Sequence, residues 1–495
     1  MIFNDLRQFI DEVDRIGELH RIDGADWDLD IGALTEMIAE QDLESHPALL
    51  FDQVKGYPKG YRVLSNVLTN VRRNALALGL DPDTPPLEAL RYWKDKVAAF
   101  RPIPPRVVTD GPVFENVCKR DDVDIFKFPA PRWHENDPGR FIGTGNMVIM
   151  KDPDGDWINV AAQRNMVFER DTIGILPLPG KTPAIFLQKA HARGESLPVV
   201  ISFGQEPLTW IPAGFFFPYG QSEFDYIGHL RGEPLDVVHG PLTGLPFPAT
   251  AEIVIEGHIP PMEVEHCMEG PFGEFTGYYA GGPHPQPVVK VEAVYHRDDP
   301  IILGVPPLKP PVGPYTGIPL LAADTWDALE KSGIPDVMGV WQPVSRLMTV
   351  VSIRQRFAGH AKSAGLVAAG ARGTAYFIKY VVVVDDDIDI TSLQDVMWAV
   401  VTRCNPESSI DIIKETWGSS LDPSLSPEVR LKLGPEAHLN SKVIINACKN
   451  YKWIKDYPLM NRVSDEVRRA TREKYRELFE HLAQHMTYPP EIGSG

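Results

Sequence analysis

The chain has 495 residues, 43% of them hydrophobic and 23% charged, which describes an ordinary globular protein of about two to four domains. Acidic residues outnumber basic ones by 67 to 49, giving a net charge of −18. That balance argues against nucleic acid as the main partner, since phosphate binding needs basic patches, but leaves room for an anionic ligand in a local basic pocket.

In chain order, residues 4–16 read as an amphipathic helix with Leu6, Phe9, Ile10, Val13 and Ile16 on one face, Asn4 as its cap and Gly17 at its end. A second helix is expected at 30–41, with Ile31, Leu34, Met37 and Ile38 inward. Short strands follow at 48–51 and 61–64, then helices at 70–79 and 86–100. This N-terminal α/β unit, residues 1–106, ends in the linker Arg101-Pro-Ile-Pro-Pro-Arg106. From 107 to 305 the pattern is mainly β, with strands at 143–151, 157–162, 198–203, 251–256, 287–296 and 301–305 separated by turn residues, as in a barrel or sandwich. The stretch 306–330 opens with the connector Pro306-Pro-Leu-Lys-Pro-Pro311 and reads as a linker, with a helix at about 320–332. The C-terminal region, 331–495, shows strands at 347–354 and 376–384, a helix at 391–402 capped by Thr391 or Ser392, and a long polar helix at 464–484 capped by Ser464. Its thin apolar face (Val467, Ala470, Tyr475, Leu478, Phe479, Leu482) suits packing on a neighbouring domain or subunit. The terminal Gly493-Ser494-Gly495 reads as an appended tail. The fold class is α+β. Cys118, Cys267, Cys404 and Cys448 lie far apart without CxxC spacing, so a reducing cytoplasm is expected. Neither a basic-then-apolar leader nor an apolar run of spanning length is present, and no membrane partner is expected.

Several motifs invite chemistry and fail on spacing. Gly174-Ile-Leu-Pro-Leu-Pro-Gly180-Lys181-Thr182 holds one residue too many for a phosphate-cradling P-loop, and Pro177 and Pro179 lack the needed N–H groups. Gly143-Thr-Gly145-Asn146 lacks the third glycine of a dinucleotide fingerprint. Glu263-Val-Glu265-His266-Cys267 matches no zinc pattern. The acids of Asp385-Asp-Asp-Ile-Asp389 read as a strand end meeting a helix N-terminus, where negative charge is welcome.

Two segments remain. Glu269-Gly270-Pro271-Phe272-Gly273-Glu274 places two carboxylates five residues apart in a stretch unfit for a helix, with Gly270 and Gly273 free to take positive φ. A rigid turn of that kind suits general acid/base work, in which one carboxyl stays protonated while the other is ionised; the plainer reading is a loop corner with solvated acids. Asn159-Val-Ala-Ala-Gln-Arg164 offers an amide oxygen that can ligate a metal and a guanidinium that can grip a carboxylate in two prongs; the plainer reading of Arg164 is a surface ion pair.

With Asn159, Arg164, Glu223 and the 269–274 hexapeptide in this order, nearly the whole chain resembles the UbiD-like family of decarboxylases. Further support comes from 248–257, 380–389 and 398–404, while 354–360 and Leu421-Asp-Pro423 look more like its aromatic-acid branch. The resemblance implies a split-barrel domain binding prenylated FMN, a cofactor supplied by a flavin prenyltransferase. It also implies a C-terminal oligomerisation domain and a homodimer or homohexamer. It places the catalytic set on Arg164, Glu269 and Glu274. Glu274 would be the proton donor that replaces CO2 with hydrogen, and Arg164 paired with Glu269 would orient the substrate carboxylate. The family holds the flavin phosphate through a divalent ion bound by Asn, His and Glu. Asn159 and Glu223 match two of these ligands, and the third falls on Thr182, a departure. Three outcomes are open: Mn2+ or Mg2+ persists with an extra water, Lys181 neutralises the phosphate directly, or cofactor binding is impaired. A monovalent-ion (K+) site would map to Ala213, Gly214 and Phe215.

Trp210 and Phe215-Phe-Phe217 suggest a flat aromatic or heteroaromatic acid stacked on the flavin; the plainer reading places these rings in the core. The expected function is reversible non-oxidative decarboxylation of such an acid. The alternatives are an oxidoreductase binding ordinary FMN on a split barrel, and a non-catalytic subunit of a decarboxylase assembly.

Overall fold

A computed structural model describes residues 2–40, 46–177, 181–215, 217–280, 282–310, 317–371, 373–432 and 438–485. Gly180 of the rejected P-loop stretch, Phe216 of the aromatic run and the tail at 493–495 lie outside the described residues. The described residues pack as two units, the first drawn from 2–40, 46–84 and 95–318, the second from 85–94 and 319–485.

In the first unit, helix α1 (Leu6–Arg15) buries Leu6, Phe9, Ile10 and Val13, as the periodicity predicts. Asp5, not Asn4, caps it: Asp5 is extended and its carboxylate accepts the Gln8 N–H. After strand β1 (Leu19–Asp23), helix α2 (Asp30–Ala39) turns Ile31, Gly32, Thr35 and Ala39 inward, while Met37 is 62% exposed. The inward face follows small side chains because Gly32 lies against the carbonyl of Trp133, where a Cβ would sit 1.9 Å from that oxygen. Strands β2 (Ala48–Asp52) and β3 (Arg62–Ser65) complete the local pairing, with β1 parallel to β2 and β2 antiparallel to β3. Helix α3 (Val71–Ala77) follows, whereas helix α4 (Pro86–Ala98) belongs over residues 86–94 to the second unit. The stretch read as a linker ends in a strand, since Arg106–Val107 pairs in parallel with Asp236 and Val237.

A ten-stranded sheet carries the site. Its members are β4 (Asn116–Lys119), β5 (Arg140–Gly143), β6 (Asn146–Lys151), β7 (Ile158–Ala161), β8 (Asn165–Glu169), β9 (Thr172–Gly174), β10 (Leu197–Phe203), β11 (Ile253–Ile259), β12 (His266–Glu269) and β15 (His284–His296). The order is β5-β8-β9-β15-β11-β10-β6-β7, with β4 and β12 also on β15. Between β12 and β15 lies the hairpin β13 (Phe272–Gly273) and β14 (Tyr279–Ala280). Strand β16 (Ile301–Leu303) leaves this sheet and pairs in parallel with β3. Helix α5 (Thr182–His191) packs against the sheet, burying Phe186 and Leu187, and α6 (Glu223–Arg231) begins at Glu223. The shared core includes Phe51, Trp133, Phe141, Phe186, Phe203 and Phe272.

The second unit has a five-stranded sheet in the order β17 (Val337–Trp341), β18 (Met348–Ile353), β19 (Tyr380–Asp385), β21 (Leu439–Asn446), β20 (Ile410–Trp417), with helices α7 (Ala322–Lys331), α8 (His360–Gly370) and α9 (Leu393–Arg403). Ser392 caps α9, accepting from Asp395 N–H. The acids at the end of β19 are tied by cations: Arg403 bonds Asp385 and Asp387, and Lys449 pairs with Asp387. The expected single helix at 464–484 is two, α10 (Asp465–Lys474) and α11 (Arg476–His485), because Tyr475 (φ −115°, ψ 33°) breaks the helical run. Among the described residues no helix is long and apolar enough to cross a membrane.

Candidate active site

The hexapeptide is more ordered than a bare turn. His266-Cys267-Met268-Glu269 alternates exposed, buried, exposed, buried along β12, so Glu269 points inward and is fully buried. Gly270 takes φ 103°, which only glycine adopts without strain, and the chain re-enters a strand at Phe272. Gly273 lies within β13 and does not have positive φ, contrary to the expectation from sequence; its lack of a side chain matters instead where Pro307 approaches to 3.2 Å of a built Cβ. Glu274 follows, its N–H donating to the Tyr278 carbonyl at 3.0 Å, and its own carbonyl accepting from Gly277 to close the hairpin end.

Arg164 leaves the short connection between β7 and β8 and reaches both acids. Its Nε donates to Glu269 Oε1 at 2.7 Å and its Nη1 to Glu274 Oε1 at 2.9 Å. The guanidinium lies over the Phe272 ring, 4.9 Å from its centroid, and Phe272 packs on Phe141 at 4.2 Å. One cation thus serves two carboxylates, an arrangement that favours keeping one of them neutral. Burial pushes the Glu274 carboxyl above its ordinary value, Arg164 opposes this, and Glu269 adds to it. Glu269 Oε2 is buried without a hydrogen-bond partner. Behind it, burial and the nearby Glu269 push the Cys267 thiol up to about 12, so that thiol is inert.

A second cluster joins β7 to the start of α6. Asn159 Nδ2 donates to Glu223 Oε1 at 2.7 Å, and the Val160 N–H donates to Glu223 Oε2 at 2.7 Å. Both residues are about 5% exposed, and burial raises the Glu223 carboxyl to about 8. Asn159 Oδ1 has no hydrogen-bond partner although buried. A buried carboxylate beside an orphaned amide oxygen is a donor pair suited to a hard cation. Among the described residues no group of three His, Cys, Asp or Glu could hold a metal. Thr182 is the first residue of α5, with Lys181 as its cap residue, and no side chain caps that helix. The Ala213 carbonyl accepts the Ala162 N–H at 2.8 Å, tying the turn containing Ala213 and Gly214 to the segment that leads into Arg164. Phe215 closes that turn through its N–H to the Pro212 carbonyl. Trp210 is buried and borders a small cavity with Asn66, Thr69, Gly304 and Leu308.

Sequence reasoning quoted Phe272 without giving it a role; its place between the two acids was the available signal. It passed over Tyr279, on strand β14 of the hairpin, and His134, whose ring lies edge-on to it. The run His134-Glu-Asn-Asp137, a compact polar turn after a buried Trp, was the signal there.

Family models match most of the chain: the N-terminal domain of 3-octaprenyl-4-hydroxybenzoate carboxy-lyase over residues 10–92, its Rift-related domain over 106–310 and its C-terminal domain over 315–447. A phenolic acid decarboxylase from Streptomyces sp. (strain D7) is 34% identical over 469 residues, covering 90% of this chain and 92% of the relative. The vanillic acid decarboxylase of Sedimentibacter hydroxybenzoicus, solved in an open form, superposes with a TM-score of 0.83 at 30% identity, covering 97% of this chain and all of that one. HmfF of Pelotomaculum thermopropionicum, described as a UbiD-class enzyme, is similar in its FMN complex (TM-score 0.81, 29% identity, 95% of this chain and 100% of that one). An evolved dimeric form of HmfF, solved with prFMN, is also similar (0.77, 28%, 93% and 97%).

Proposed function

We propose a specific role for this chain, which belongs to the UbiD family and is a carboxy-lyase: it decarboxylates an aromatic carboxylic acid with prenylated FMN, and Glu274 is the proton donor. The observation that carries the reading is the fork of Arg164 between Glu269 and Glu274, with Glu274 biased toward its neutral form by burial. The phenolic and vanillic acid decarboxylases among the relatives support an aromatic substrate, and the HmfF complexes support the flavin.

When bound, the prenylated flavin supplies the electron sink for the pair left when the bond to CO2 breaks. Arg164 orients the substrate carboxylate while Glu269 anchors the guanidinium from its buried side. Glu274 then gives its proton to the carbon that CO2 has left, the new C–H bond replacing the broken C–C bond, and the resulting carboxylate is reprotonated from solvent. A neutral carboxylic acid next to an ionised one is what this step needs, and the shared cation with burial favours that split. The reverse reaction uses the same groups, with Glu274 as base.

Asn159 and Glu223 would hold a divalent cation, Mn2+ or Mg2+, which would supply positive charge for an anionic cofactor group. The orphaned Asn159 Oδ1 supports this part of the reading, and Thr182 would leave a ligand position to water. The carbonyls at Ala213, Gly214 and Phe215 are the candidates for K+. An exposed apolar stripe of Leu393, Met397 and Val401 on α9 supports a homo-oligomer built through the C-terminal region, which sedimentation velocity would read as a dimer or larger.

The test is mass spectrometry of the small molecule released when protein co-expressed with a flavin prenyltransferase is denatured. Prenylated FMN is expected. Ordinary FMN with reducing activity on a nicotinamide cofactor would overturn the reading in favour of an oxidoreductase, and no flavin at all would favour a non-catalytic subunit.

A further inference from the structure

The turn Gly143-Thr144-Gly145-Asn146 carries no nucleotide fingerprint, but it lies at the seam of the ten-stranded sheet. It joins β5, at one end of the strand order, to β6, the neighbour of β7 at the other end. Arg164 crosses the same seam, because its connection runs from β7 to β8, the neighbour of β5. Its place therefore depends on what holds the two ends of the sheet together. A chain of two amides does so. Asn146 opens β6, and Asn165, the residue after Arg164, opens β8; both are fully buried. Asn165 Nδ2 donates to the Gly174 carbonyl at 3.1 Å, and Asn146 Nδ2 donates to Asn165 Oδ1 at 2.5 Å. The carbonyl fixes the direction of this chain. It only accepts, so Asn165 turns its NH2 to Gly174 and its oxygen to Asn146, which answers with its own NH2. Asn146 Oδ1 is left buried without a hydrogen-bond partner. A buried polar pair with one atom unsatisfied is less stable than an apolar pair of the same shape, so packing alone does not account for it.

The surroundings leave room for the pair and connect it to both acids. Gly143 stands opposite Asn165 in the strand register, and a Cβ on it would sit 2.5 Å from Asn165 Oδ1 and 2.8 Å from Asn146 Nδ2. Gly174 lies beside β12, since a Cβ on it would be 3.3 Å from the Sγ of Cys267, two residues before Glu269. On the other side of the turn, Thr144 Oγ1 accepts the Val305 N–H at 2.8 Å, and Gly145 lies against Val305 and Leu303. Two residues further on, Pro307 abuts Gly273, the neighbour of Glu274. The turn is thus in touch with the strand that follows Arg164, with the strand of Glu269 and with the segment behind Glu274.

We infer that Asn146 and Asn165 are positioning residues: their amide chain closes the seam beside Arg164 and so fixes the reach of its guanidinium to Glu269 and Glu274. This rests on the reading of Arg164 as the group that orients the substrate carboxylate. The hydrogen bond sets a length. Heavy atoms joined by an N–H···O bond stand about 2.9 Å apart, whereas carbon atoms in van der Waals contact stand about 3.5–4.0 Å apart. An apolar pair in the same place lets β6 and β8 separate by about 1 Å. A displacement of that size at a group that orients substrate lowers the rate by up to about 100-fold.

The experiment compares the double variant Asn146→Ala/Asn165→Leu with the wild type. One side chain shrinks and the other grows, so the space stays filled and neither amide is left unpaired. A crystal structure of the variant without substrate is expected to show Arg164 withdrawn from Glu274 by about 1 Å or more, or divided between two rotamers. In flavin-loaded protein assayed over a panel of phenolic acids, kcat/KM for the acid that the wild type turns over best is expected to fall at least about tenfold, with the chemical-denaturation midpoint near that of the wild type. A merely structural role would lower the midpoint and leave the fork of Arg164 in place, and an unchanged fork overturns the proposal. Should the double variant fail to fold, Asn146→Ala, which keeps the bond from Asn165 to Gly174, decides by the same fork geometry. The crystal structure needs no turnover. If the wild type acts on no phenolic acid, the functional reading loses support while the fork still decides this proposal.

Discussion

Arg164 meets two carboxylates that differ in surroundings: Glu269 is fully buried, whereas Glu274 keeps a fifth of its side-chain surface exposed. That difference separates an anchor from a group that trades protons with substrate and solvent. The pair of acids and the cation were legible in the sequence because Pro271 and the flanking glycines forbid a helix there. Which acid is buried was not legible, because it depends on β12 being a strand in phase with Cys267. Glu223 shows a second buried acid, with a different consequence. Its folded-state value of about 8 lies above the ordinary carboxylate range. The folded protein therefore holds a proton that the unfolded chain has already released. Its contribution to stability is present at low pH and is lost as pH rises from the carboxylate range toward about 8. In metal-free protein the melting temperature is expected to fall over that interval. Mn2+ or Mg2+ should restore it while releasing protons. Differential scanning fluorimetry with and without chelator checks this. An equal metal effect in Glu223→Gln would remove that residue from the site.

At the level of elements, the sequence carried long periodic segments well: α1, β2, β3, β10, β15 and the cap of α9 fall where pattern and turn chemistry place them. It missed α5 and α6, whose sequences carry weak amphipathic patterns, since α6 buries Glu223, Phe224, Tyr226, Ile227 and Leu230 around most of its circumference. On α2 the expected inward residues Ile31, Leu34 and Ile38 do meet the core and only Met37 is exposed, but Gly32 and Thr35, small or polar in sequence, also face inward where Trp133 comes close. That contact predicts a sharp response. Gly32→Ala places a methyl against backbone that cannot yield, and is expected to cost about 2–3 kcal/mol. Chemical denaturation measures it, and a change below about 0.5 kcal/mol, the range of neutral surface changes, would mean that α2 shifts without cost.

Over the whole molecule, composition and charge set the class of protein, and ordered motifs set the family, but pairing across long separations was not legible. The strand Ile301–Leu303 looks in sequence like the end of the central β region. It instead pairs with Arg62–Leu64, far away in the chain, and so joins the N-terminal sheet to the unit that holds Arg164, Glu269 and Glu274. The same long-range assembly brings Asn159 beside Glu223 and Arg164 beside both acids, so the candidate site exists only in the folded first unit. The most direct measurement of the central claim is hydrogen–deuterium exchange at the product carbon in D2O. It uses protein loaded by co-expression with a flavin prenyltransferase and compares wild type with Glu274→Gln at equal flavin content. The account predicts exchange by the wild type and a loss of at least about 100-fold in Glu274→Gln, the scale of a lost general acid. Exchange at the wild-type rate in Glu274→Gln would contradict it.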